Sequence, residues 1–216
     1  MALSSSQSSW GLKGHSGAAV QNNDIEALKQ AWLNEKFSPH VLIFEDALVA
    51  RVSEDVKEQE DVVAGELDDG ATFMTRLKQL ELERVKYLLR SYYRTRLRKI
   101  EKFCMYILKN PVVRTRLSPA ELEYTQRYVD LMAEHLNESF LNGLPEKLRD
   151  LTTQDAEDDM IPAPNFDTHV FCKVVDTIGT FQLDQDSSVD LEEGELYLLP
   201  FKPIRDLLLD QSIILI

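Results

Sequence analysis

Residues 73–108 carry the longest amphipathic pattern in the chain, and its charges run against those of the rest. Its centre reads QLELERVKYLLRSYYRTRLRKIEKF, residues 79–103. Lys86, Arg90, Arg94, Arg98 and Lys102 recur every four residues. A helix turns 100° per residue, so each step moves this row only about 40° around the axis. Phe73, Leu77, Leu80, Leu88, Tyr92, Ile100, Phe103 and Ile107 form an apolar stripe that winds in the same sense. The pattern predicts one helix, roughly 50 Å long, with the stripe toward a core and the basic row away from it. Like charges at i,i+4 destabilise a helix by about 0.2–0.5 kcal/mol per pair. On the helix itself, chiefly Glu83 and Glu101 lie close enough to relieve them. Relief must otherwise come from solvent ions, an acidic segment of the same chain, or a partner.

The whole chain of 216 residues has a formal net charge of −13. Residues 54–69 hold eight acids against Lys57 alone, and residues 150–195 are again dominated by acids. Free binding of the whole chain to nucleic acid is therefore disfavoured, because such affinity comes largely from neutralising phosphates. No apolar run reaches the roughly 20 residues that span a bilayer, so no membrane partner is expected. The Ser- and Gly-rich start, residues 1–22, reads as a flexible tail without the apolar centre of a secretory signal. Cys104 and Cys172 stand alone, without C-x-x-C spacing, which points to a reducing compartment rather than a disulfide or metal framework.

The order of elements predicts an α+β fold. Residues 23–151 read as a helical domain. Ile25, Leu28 and Trp32 keep helical spacing over residues 24–36. Ser38 and Pro39 then read as an N-cap and first position of a second helix carrying Leu42, Leu48, Val52 and Val56. The long helix stops before Asn110-Pro111. Ser118-Pro119-Ala120-Glu121 is a capping box that starts another helix, with Leu122, Val129, Met132, Leu136 and Phe140 as its apolar face. Residues 152–165, acidic and containing Pro162 and Pro164, read as a linker. Beyond it the period falls from 3.6 to two. Residues 166–216 read as a small β-rich domain with strands near 168–175, 180–183, 188–191, 195–199 and 212–216, and one short helix over 203–210. A module of about 50 residues has little core of its own and is expected to lean on another surface.

No catalytic constellation emerges. His15, His40, His135 and His169 belong to no metal-ligand motif, and there is no phosphate-cradling Gly-rich loop and no nucleophile elbow. No enzyme activity, cofactor or metal is expected. Binding is the chemistry the sequence favours. Arg prefers bidentate carboxylate or phosphate partners, which weakens a purely solvated reading of the basic row. Tyr87 and Tyr93 lie among the bases, where aromatics stack on nucleotides or anchor interfaces. The expected partner-binding residues are Trp32, Tyr87, Arg90, Tyr93, Arg94, Arg98 and Lys102, with Ile214 and Ile216 on the terminal strand, which is expected to dock on a neighbour.

Three blocks, QAWLNEKFSPHVL (30–42), the 79–103 block followed by LSPAEL (117–122), and VDLEEGELYLLPFKPIRDLLLDQSIILI (189–216), resemble the GINS subunits of the eukaryotic DNA replication machinery, in particular the Sld-five type. The resemblance implies an α-helical domain followed by a β-rich one, and a non-catalytic structural subunit of a nuclear heterotetramer. It implies the three other GINS subunits as partners. Through them it implies the MCM hexamer and associated replisome proteins of the replicative helicase, acting in initiation and elongation. Read from its own residues rather than from the resemblance, the basic row is expected to touch DNA at most weakly. The alternative from another class is an independent helical adaptor or nucleic-acid-binding protein that uses that basic face.

Overall fold

The computed structural model describes residues 22–68, 70, 72–145, 149, 151, 161–184 and 187–216. The expected tail up to residue 21 and residues 152–160 of the expected linker lie outside them. The fold is α+β. Six helices come first: α1 (Asn22–Phe37), α2 (Asp46–Asp68), α3 (Phe73–Lys102), α4 (Cys104–Lys109), α5 (Pro111–Arg114) and α6 (Pro119–Ser139). They are followed by β1 (His169–Val174), β2 (Gly179–Asp184), β3 (Ser187–Leu191), β4 (Leu196–Pro200), α7 (Phe201–Leu209) and β5 (Ile213–Leu215).

The long helix is the axis on which the bundle is built. Leu82, Val85, Leu88, Leu89 and Tyr92 of α3 pack with Leu28 of α1 and Leu48, Val49, Val52 and Val56 of α2. Each such side chain taken fully from water stabilises the fold by about 1.5–3 kcal/mol before entropy is counted. The expected single helix is interrupted at Phe103 (φ −115°, ψ 21°). Hydrogen bonds from Phe103 N to Lys99 O and from Ile107 N to Phe103 O, both 2.9 Å, carry the ladder across the break. Asn110 is extended, as a residue before proline must be, and Pro111 then starts α5. The capping box is present: Glu121 N donates to Ser118 Oγ at 3.2 Å, and Ser118 N donates to Glu121 Oε2 at 2.9 Å.

Two helical expectations are corrected. Phe73, Leu77 and Leu80 do not face the core; Phe73 is 77% exposed. Two apolar rows run along this part of α3, and the periodicity does not say which one α2 covers; it covers the one containing Leu82, Val85 and Leu89. The second correction is at Ser38-Pro39. No helix starts there; α1 ends at Phe37, α2 begins at Asp46, and residues 38–45 form an irregular connection. The carbonyls of His40, Val41 and Leu42 accept from Lys99, Arg116 and Arg96, so they are not available to a helix of their own. Ser38 Oγ folds back on His40 instead of capping.

In the β-rich part, a three-stranded antiparallel sheet has the order β4-β1-β5, and β2 and β3 form a separate hairpin. Gly194, in the expected turn before β4, has φ +85°, a conformation that disfavours any residue with a Cβ. Along β1, Val170, Cys172 and Val174 point inward while Phe171 and Lys173 point out. The inner residues pack with Leu199, Phe201, Ile204, Leu208, Ile213 and Leu215. The surface this module leans on belongs to the same chain. Gln30 Nε2 donates to Leu215 O at 3.1 Å, and Leu215 N donates to Asn34 Oδ1 at 2.8 Å. Two amides one turn apart on α1 thus pair the free edge of β5, which would otherwise be open to strand addition. The His40 ring packs against Phe166 and Phe201, with centroids 5.4 and 5.1 Å away.

Candidate interaction surfaces

The outer face of α3 is assembled by helical geometry alone. Phe73, Leu77, Leu80, Tyr87, Arg94 and Arg98 fall within about 100° of arc, opposite the packed side. The end nearest α2's C-terminus is apolar and the other end basic. Lys86 is relieved inside the chain: it pairs with Glu83 at 3.0 Å and with Glu60 on α2, and the bond to Glu60 is the first cause of its raised pKa. Arg90, Arg94 and Arg98 are exposed and make no ion pair among the described residues. Lys102 lies over the Phe103 ring, 5.1 Å from its centroid. The acidic α2 thus meets the row at Lys86, not along its length. Glu101 accepts from Tyr124 of α6 at 2.8 Å.

The other expected partner-binding residues are spread over the molecule. Tyr87 stands outward, while Tyr93 is partly covered and stacks on Phe44 at 6.4 Å. Trp32 is half-buried against the bundle core, with Lys36 Nζ 5.4 Å from its ring centroid. Ile214 is half-buried and lines a groove with Gln30, Asn34 and Val175, and Ile216 is exposed. Within the chain, the edge of the terminal strand is paired by Gln30 and Asn34 of α1. The sheet face turned away from the inner core carries exposed Phe171, Leu196 and Leu198, with Phe171 paired to Leu198. Leu131 of α6 and Phe140 at its C-cap are exposed too. The apolar face expected on α6 is mostly not buried; its fully buried residues are Glu121 and Thr125.

The residue that sequence reasoning missed is Arg96. It is fully buried, at 0% exposure. Nε and Nη2 form a fork on Glu121 Oε1 and Oε2 at 2.7 and 2.9 Å. Nη1 donates to Glu35 Oε2 and to Leu42 O, both at 2.9 Å, and Nη2 donates to Arg116 O at 3.2 Å. All five guanidinium protons are directed to acceptors. Phe44 lies against the cation, with its ring centroid 5.2 Å away. Burial opposes the charge, but the bond to Glu121 and the fields of Glu35 and Glu121 outweigh it and hold Arg96 more firmly protonated than an ordinary arginine. Lys99 adds a bond to Glu35 Oε1 at 2.9 Å. A signal existed in the sequence: position 96 falls four after Tyr92 and four before Ile100, on the apolar stripe itself.

His40 sits beside this network with its pKa lowered from 6.5 to about 3, by burial first and then by Arg116, Arg205 and Lys99. The unfolded chain takes up a proton below pH 6.5 that the folded chain refuses until about pH 3. Stability is therefore lost as pH falls through that window, at about 1.4 kcal/mol per pH unit for one proton. Between pH 6.5 and 5 the loss attributable to His40 is roughly 2 kcal/mol. Urea midpoints of wild type and His40→Gln at pH 7 and pH 5 check this. The variant is expected to show the shallower decline; equal declines would remove His40 as the cause.

Among the described residues no cluster of His, Cys, Asp or Glu is arranged to hold a metal, and Cys104 and Cys172 are buried free thiols. Fold and surfaces together define an α+β protein whose internally braced helical bundle presents unpartnered outer faces. Residues 47–140 match the family described as GINS complex protein helical bundle domain, and residues 164–216 match DNA replication complex GINS protein SLD5 C-terminus. The chain is 35% identical over 193 residues to the DNA replication complex GINS protein SLD5 of Arabidopsis thaliana, covering 86% of this chain and 88% of that one. It is 33% identical over 189 residues to the sld5 protein of Schizosaccharomyces pombe, with 86% and 88% covered. The Homo sapiens SLD5 protein is 30% identical over 204 residues, with 89% and 88% covered. The chain belongs to the SLD5 family of GINS complex proteins.

Proposed function

We infer that this chain is a non-catalytic structural subunit of a heterotetrameric GINS complex. It acts in the nucleus, in initiation and elongation of DNA replication, as part of the MCM-containing replicative helicase. Its direct partners are the three other GINS subunits, and through the assembled complex it reaches the MCM hexamer and associated replisome proteins. Beside family membership, the observation that carries this reading is the unpartnered outer face of α3, apolar at Phe73, Leu77 and Leu80 and basic at Arg94 and Arg98. Exposed apolar patches of this kind mark association surfaces. The test is co-expression with the three other GINS subunits and mass determination of the purified complex. A one-to-one-to-one-to-one assembly is expected; a chain that purifies alone as a well-behaved monomer and ignores the other subunits overturns the reading.

A second reading, an independent adaptor or nucleic-acid binder, draws on Arg90, Arg94 and Arg98, which make no ion pair among the described residues. One double variant separates the two. Arg94→Glu with Arg98→Glu is expected to weaken assembly by about 2–5 kcal/mol, because each reversed charge leaves a desolvated partner carboxylate facing a like charge. A solvated face would change by only about 0.5 kcal/mol. Subunit dissociation at low and high salt, beside DNA affinity of the assembled complex, reads the difference. Intact assembly with lost, salt-sensitive DNA binding favours the second reading.

A further inference from the structure

A cavity of about 200 Å³ lies where the helical and β-rich parts meet, lined by His40, Tyr106, Asn110, Arg116, Phe166 and Arg205 among others. Its charge is of one sign. Arg116 is buried, yet neither it nor Arg205 makes an ion pair among the described residues, and the Arg205 charge is felt at Arg116. One Arg116 bond is found, from Nη1 to Val41 O at 3.4 Å. Among the described residues, two buried polar atoms have no hydrogen-bond partner, His40 Nε2 and Arg205 Nε, and both residues line this cavity. His40 itself is 4% exposed. The great majority of buried polar groups are paired, so two together in one cationic cavity give a polar ligand groups to bind.

The hydrogen inventory narrows its chemistry. Ser38 Oγ donates to His40 O at 2.9 Å and lies 3.1 Å from His40 Nδ1. A hydroxyl has one proton, so Nδ1 carries the hydrogen of that second contact and Nε2 presents a bare lone pair. The cavity lining thus offers both guanidinium donors and an acceptor. A carboxylate answers the arginines but repels the imidazole lone pair. A phosphate carrying one proton answers both: its oxygens accept from Arg116 and Arg205, and its O–H donates to His40 Nε2. A phosphate has its second pKa near 6, so a protonated form is present at neutral pH. We propose that this cavity is a binding site for a protonated phosphate group, inorganic or a phosphomonoester, held by Arg116, Arg205 and His40. The site is separate from the outer face of α3 and does not depend on the assembly reading above.

The test is titration of inorganic phosphate into the full chain, in the assembled form if it purifies so, against acetate at matched ionic strength, followed by calorimetry and by phosphorus NMR line width. Saturable phosphate binding is expected, weakened roughly tenfold or more in Arg205→Gln by loss of a charge-assisted bond. Arg94→Gln, on the exposed row, is expected to leave it unchanged. Because Arg116 is buried, Arg116→Gln is read only where circular dichroism matches wild type, and Arg205→Lys provides a milder second variant that keeps charge but loses the fork. Glycerol 3-phosphate reads the source: binding equal to inorganic phosphate identifies a phosphomonoester, and inorganic phosphate alone identifies a free ion. Acetate binding as tightly as phosphate, or phosphate binding that Arg205→Gln leaves intact, overturns the proposal.

Discussion

Arg96→Met is expected to destabilise the helical bundle by about 3–5 kcal/mol, the range seen when one member of a buried ion network is removed. The methionine fills much of the volume, so the loss is electrostatic rather than a cavity. Glu121 loses both fork bonds and keeps only Ser118 N, and Glu35 is left with Lys99 and Leu42 N. The Leu42 carbonyl loses the Arg96 donor as well, and the Arg116 carbonyl is left with Phe44 N at 2.9 Å. Four segments thus come loose together: α1, residues 38–45, α3 and the start of α6. Removing the partner charges changes the sign of the argument. Arg96→Met combined with Glu35→Gln and Glu121→Gln is expected to recover a large part of the loss, since stranded charge costs more than missing attraction. Urea midpoints followed by far-UV circular dichroism measure both variants. A single-variant loss under about 1 kcal/mol, the ordinary cost of a point mutation, would show that the network is not the brace described here.

How much of this was legible beforehand depends on which physical signal was local. The capping box at Ser118, the stop at Asn110-Pro111 and the turn at Gly194 are decided by neighbours in sequence, and all three stand in the structure. The five strands and α7 fall within a few residues of where alternation and turn residues put them. What escaped was decided at long range. Residues 38–45 have a plausible local cap, but Arg96, Lys99 and Arg116, more than 50 residues away in sequence, claim their carbonyls. The row containing Phe73 and the row containing Leu82 are equally periodic, and only the placement of α2 separates them. Arg96 is masked in the sequence by the four-residue basic row beside it, although its position on the apolar stripe is the stronger signal.

Phe201→Ala is expected to cost about 3–5 kcal/mol, as large-to-small changes of fully buried aromatics do. Phe201 is completely buried at the first position of α7, among Val170, Ile204 and Leu215, and it meets His40 of the helical part edge-on at 5.1 Å. Its backbone N also ties α7 to Thr168 O at 3.0 Å. A loss of that size is comparable to everything a β module of this length can supply on its own. The module is therefore expected to open while the bundle holds, because the Arg96 network contains no residue beyond Glu121. Amide exchange separates the two. Protection should fall across β1, β4 and β5, including Leu215 N, which then loses its acceptor Asn34 Oδ1, while α2 and the middle of α3 keep theirs. Arg96→Met should give the opposite pattern, with α1, α3 and α6 exchanging first. If Phe201→Ala instead releases bundle and module together, the contacts through Gln30, Asn34 and His40 make the whole chain one cooperative unit, and the β module has no stability separable from the helices it leans on.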